Sequence, residues 1–98
     1  MAVKSITRWE FNQYVPQSYL LEHVFGDGVA WFADRSNRII GTVAKSERER
    51  HWFYIILERE ADGSYQVCQV QSGFESQQVA SVRLTPAMES AAKLSATR

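Results

Sequence analysis

The chain has 98 residues, 45% of them hydrophobic and 22% charged, the profile of one ordinary globular domain spanning residues 1–98. Eleven basic residues balance eleven acidic ones, which argues against an electrostatic nucleic-acid binder, because such proteins carry a basic excess. The lone cysteine, Cys68, rules out an intramolecular disulfide and a cysteine metal cluster, and no apolar run approaches the ~18 residues of a membrane span.

Residues 1–15 mix Trp9, Phe11 and Tyr14 with polar residues on no single period, and read as irregular chain or a short edge strand. Pro16 suits the first turn of a helix. Tyr19, Leu20, His23 and Val24 form an apolar stripe behind it, and Gly26 and Gly28 end it, so a helix is predicted over 16–25. From Val29 the pattern becomes strands. "VAWFAD" is the first, and "DRSNR" turns the chain. Asp34 accepts backbone bonds at the start of that turn, and Asn37 tolerates the left-handed region near its end. "IIGTVAK" is the second strand, where Gly41 signals a bulge or a close backbone approach. "SERER" is a charged connection to the third strand, "HWFYIILERE". "ADG" supplies a hairpin with Gly63 at positive φ. "SYQVCQVQS" is the fourth strand, with Tyr65 and Val67 pointing one way and Cys68 and Val70 the other.

The last third reads as helical. Ser72 to Glu75 has capping-box spacing, and Ser76 is a rival cap. Val79, Ala80, Val82 and Leu84 line a helix against the sheet. Pro86 stops or kinks it, so residues 76–94 are one kinked helix or two. The expected fold is α+β: a four-stranded antiparallel β-meander with an N-terminal helix and a C-terminal helical segment.

The run His51–Leu57 is apolar on both faces. His51, Phe53, Ile55 and Leu57 share one face, and Trp52, Tyr54 and Ile56 the other. An antiparallel sheet with one wet face alternates apolar and polar residues, so this strand is expected at the sheet centre with both faces covered. What covers Trp52, Tyr54 and Ile56 is open: the chain's own helices or a second copy. A net charge of zero gives little repulsion between copies, which suits a homodimer. Those three residues, with Arg48 and Arg50 of the charged loop, form the candidate interaction surface. Aromatics on a sheet face can also stack nucleobases, but the RNA-recognition glycine–aromatic signature is missing.

Chemistry has few candidates. His23 sits on a helical apolar stripe and His51 at the start of a strand, so they read as a half-buried packing residue and a surface residue. Two separated histidines and one cysteine do not make a zinc site. Cys68, mid-strand with no basic neighbour or helix N-terminus, reads as a small buried hydrophobe. Glu58 and Glu60 are strand-end carboxylates, and Asp34 is explained by its turn. No catalytic residue, metal ligand or cofactor is expected.

The stretch over residues 29–76 resembles a group of small, uncharacterised bacterial proteins. It shares their aromatic strand (Trp31), turn aspartate (Asp34), strand glycine (Gly41), Trp–aromatic–Leu strand (Trp52 to Leu57), Arg59 and hairpin Gly63. The "SERER" loop lacks the aspartates of the group. The resemblance implies the same fold outline and a bacterial, cytosolic setting, and carries no activity. The N-terminus "MAVKSITRWEF" has no signal-peptide core, and a single cysteine is compatible with a reducing compartment, so a cytoplasmic protein is expected. The functional expectation is a small non-enzymatic interaction or scaffold module that self-associates through its sheet. The alternative is nucleic-acid or small-ligand binding through the aromatic face.

Overall fold

The computed structural model describes residues 3–15, 28–45 and 51–96. In chain order the elements are β1 (Val3–Ile6), α1 (Arg8–Tyr14), β2 (Gly28–Asp34), β3 (Ile39–Lys45), β4 (Trp52–Arg59), β5 (Tyr65–Phe74) and α2 (Gln77–Ala96). The strands form one antiparallel sheet in the order β1-β2-β3-β4-β5. The fold is α+β, and the expected meander is β2 to β5. The correction is a fifth strand, β1, which pairs with β2 from Val3↔Asp34 to Ile6↔Trp31.

Residues 3–15 hold the short edge strand that the sequence offers as one reading, β1, followed by a helix that it does not offer. Thr7 caps α1 in a capping box: Glu10 N–H donates to Thr7 Oγ1 at 3.1 Å, and Thr7 N–H donates to Glu10 Oε1 at 3.2 Å. α1 has seven residues, too few to show a period, and it fixes Phe11 and the following Val15 in the core. The helix predicted over 16–25 lies outside the described residues, as does the "SERER" loop.

Turn chemistry follows the sequence. Asp34 Oδ1 accepts from Ile39 N–H at 3.0 Å, and Asp34 Oδ2 from Ser36 Oγ at 2.9 Å. Asn37 has φ 58°. The β4–β5 hairpin turns at Gly63, φ 91°, where Asp62 Oδ1 accepts from Ser64 N–H at 2.9 Å.

Both faces of β4 are buried, as the double apolar pattern requires. Phe53, Ile55 and Leu57 pack with Ile6, Phe11, Val15 and Ile40. Tyr54 and Ile56, with half-buried Trp52 beside them, pack under α2 against Ala80, Leu84 and Met88. Those helix residues are spaced i, i+4, i+8, a single stripe on one face. Gly41 lets the helix close on the sheet: a Cβ there would sit 2.8 Å from Met88 Sδ. Pairing on both sides of Gly41 is unbroken, so close approach, and not a bulge, explains this glycine.

α2 is one continuous helix through Pro86. Ser76 caps it, its Oγ accepting from Val79 N–H at 3.1 Å. The Ser72–Glu75 capping box does not form, because Ser72 belongs to β5.

Candidate functional site

The three sheet residues of the candidate surface lie side by side on β4. Ile56 is fully buried and Tyr54 is 4% exposed; α2 covers them. Trp52 is half-buried at the end of the strand, with Lys45 Nζ 5.8 Å from its ring centroid, within reach of a cation–π contact. Tyr54 stacks on Phe74 with centroids 5.5 Å apart and planes 18° off parallel. Burial raises the Tyr54 pKa, partly offset by the hydrogen bond from the Gln69 amide at 3.2 Å. Arg48 and Arg50 lie outside the described residues. The face that the sequence leaves open is therefore closed by the chain's own C-terminal helix.

The surface that stays open is the edge strand β5. Its residues 66–73 are all exposed, and among the described residues no strand pairs with its outer side. α2 lies mainly over β3 and β4 and touches β5 little. The strand "YQVCQVQSGF" contains no charged residue and no proline. Native edges are normally shortened, charged, bulged or covered. The opposite edge follows that practice: β1 has four residues and carries Lys4. β5 is long and uncharged, its only irregularities are two bulges, and Val67 and Val70 stand 41% and 44% exposed.

Two bulges shape β5. Ile56 and Leu57 pair with Gln69 and Val67, so Cys68 is an extra residue; Trp52 and Tyr54 pair with Phe74 and Gln71, leaving a second extra residue beside Gly73. Gly73 has φ 89°, a value that suits glycine. The first bulge corrects the regular alternation read from the sequence. Val67 and Val70 both lie on the Leu57/Ile55 face. It also corrects the reading of Cys68 as buried. The cysteine is exposed, because it bulges from a strand whose outer side pairs with no other strand among the described residues.

An open cleft of about 540 Å³ lies where the end of β5 meets the start of α2, lined by Tyr54, Gln71, Phe74, Glu75 and Arg83 among others. Among the described residues no group of three His, Cys, Asp or Glu side chains could hold a metal ion. His51 is half-buried at the head of β4, and His23 lies outside the described residues. No described helix is long and apolar enough to cross a membrane.

The β5 edge was legible in part: "YQVCQVQSGF" is ten residues of strand chemistry without one charge. Comparisons add no identity to this geometry: no family model matches the chain, and no curated protein or solved structure matches it either.

Proposed function

We propose that this chain is a small non-enzymatic interaction module that self-associates through its sheet, at the open edge of β5. The observation that carries the reading is a ten-residue edge strand, uncharged and exposed from 66 to 73, in a sheet whose other edge is short and bears a lysine. Such an edge presents unpaired N–H and C=O groups on alternate residues, a template for another strand. The proposal includes the resemblance of residues 29–76 to small bacterial proteins, which supports a bacterial, cytosolic setting. Edge pairing of this length makes a small interface, so association is reversible and concentration-dependent. Light scattering coupled to size exclusion over a concentration series tests it. The expected mass climbs from monomer toward dimer, and a monomer at every concentration overturns the proposal.

One observation favours small-ligand binding as a second reading. The stacked Tyr54–Phe74 pair borders the open cleft, and Arg83 lines it too. An aromatic surface beside a guanidinium suits an anionic aromatic ligand. A thermal-shift titration with mononucleotides checks this, and no shift at millimolar ligand removes it.

A further inference from the structure

We infer that two copies of this chain pair β5 against β5, antiparallel, about a two-fold axis lying between Cys68 and Gln69. Val67 then faces the partner subunit's Val70, and Gln66 faces the partner subunit's Gln71. The inference rests on the self-association proposed above and gives it a geometry.

The stretch Gln66-Val67-Cys68-Gln69-Val70-Gln71 reads nearly the same in either direction. An isologous contact places a patch on itself, so a near-palindromic strand meets its own copy with valine on valine and glutamine on glutamine. Because the axis stands normal to the sheet, each residue stays on its own face. Opposed residues must therefore come from one face. In a regular strand Val67 and Val70 would point opposite ways, as would Gln66 and Gln71. The Cys68 bulge removes that conflict. Val67 pairs with Leu57 and Val70 with Ile55, on one face; Gln66 pairs with Glu58 and Gln71 with Tyr54, on the other. The bulge thus makes the palindrome usable.

Charge agrees with this arrangement. A two-fold contact sets residues near the axis close to their own copies, so any charge there meets a like charge. β5 has none. The second bulge, at Gly73, disrupts the ladder beyond Gln71 and bounds the pairing segment. Within it, the exposed valines are buried against each other, and the glutamine amides lie within reach of mutual hydrogen bonds.

Cys68, the only cysteine in the chain, reads out this register directly. With ~3.3 Å rise per residue and ~4.8 Å between strands, the two copies of position 68 have Cα atoms about 6 Å apart, whereas those of position 71 are about 17 Å apart. The experiment treats the protein with a short bismaleimide at a concentration where scattering reports a dimer. The comparison protein is the double variant Cys68→Ser, Gln71→Cys. The expected result is a covalent dimer from the native chain and little from the variant, with no cross-link formed when the native chain is diluted to monomer before treatment. A dimer by scattering that cross-links at position 71 and not at Cys68, or at neither, overturns the register and leaves self-association standing. A monomer at all concentrations overturns both.

Discussion

Gly41 and Met88 are in contact across the sheet–helix interface: a Cβ on Gly41 would approach Met88 Sδ to 2.8 Å and Leu84 Cδ1 to 3.1 Å. Gly41 is the low point in β3 over which α2 passes, and Met88 is fully buried there. Replacing Gly41 by Ala overfills the interface and is expected to cost about 1–3 kcal/mol. Met88→Ala opens a cavity and costs about 2–5 kcal/mol. Together they are less than additive, because the new methyl occupies space the sulfur has left. Urea unfolding of the two single variants and the double variant gives the coupling. Strict additivity would break the claim that the two positions share one volume.

Pro86 interrupts the backbone ladder of α2 between Leu84 and Met88. It has no N–H to donate to the carbonyl of Val82. Pro86 and Val82 are both exposed, so water can reach that carbonyl. Pro86→Ala restores the bond without disturbing the buried stripe. A helix-interior proline costs ~3 kcal/mol relative to alanine, and water at the carbonyl returns part of that. The variant is expected to melt several degrees higher by circular dichroism, with unchanged helical content. A lower melting temperature would mean that the proline shapes the helix to fit the sheet.

Most of the sheet was legible and the reasons are local. Asp34, Asn37 and Gly63 mark the two hairpin turns found among the described residues, and the double apolar pattern of β4 required two covered faces. In residues 3–15 the edge strand β1 was one of two readings and α1 was missed, because both are too short for any period to emerge. The continuity of α2 was hidden by Pro86: Leu84 and Met88, buried on either side of it, outweigh its local preference. Ser72 reads as a cap in isolation, but it continues the pairing run of β5. The Cys68 bulge has no glycine or proline to announce it. It follows from β4–β5 register, a long-range property, and the sense of the β5 edge follows from it.

Tyr54 and Tyr65 make the fold sensitive to alkali. Burial raises both pKa values above the ordinary 10.0; for Tyr65 the positive charge of Arg59 works against the shift. The Tyr65 hydroxyl donates to the Asn37 carbonyl, tying the start of β5 to the β2–β3 turn. The folded state therefore holds these protons more tightly than the unfolded chain. The contribution is fully present below the unfolded value near 10 and is lost as pH rises through the folded values. Denaturant midpoints are expected to be flat up to about pH 9 and to fall above it. Tyr65→Phe loses the bond to the turn, about 0.5–1.5 kcal/mol, and makes the alkaline fall shallower. An unchanged slope would assign the alkaline response elsewhere.

Charge placed on the β5 edge should separate association from folding. Val70 is an edge residue already 44% exposed, so a lysine there changes the stability of a single copy by about 0.5 kcal/mol or less. On the pairing surface it must be desolvated, twice per dimer, because the contact is two-fold. Val70→Lys is expected to run as a monomer at concentrations where the native chain is dimeric, with a circular dichroism spectrum unchanged. Register adds a second arm. In the pairing inferred here position 67 of one copy faces position 70 of the other. Mixing Val67→Lys with Val70→Glu therefore creates one opposed pair of opposite charges, while each variant alone buries two like charges near the axis. The mixture should regain dimer mass in scattering, and neither variant should do so alone. Rescue by mixing Val70→Lys with Val70→Glu instead would place position 70 opposite itself and refute the register.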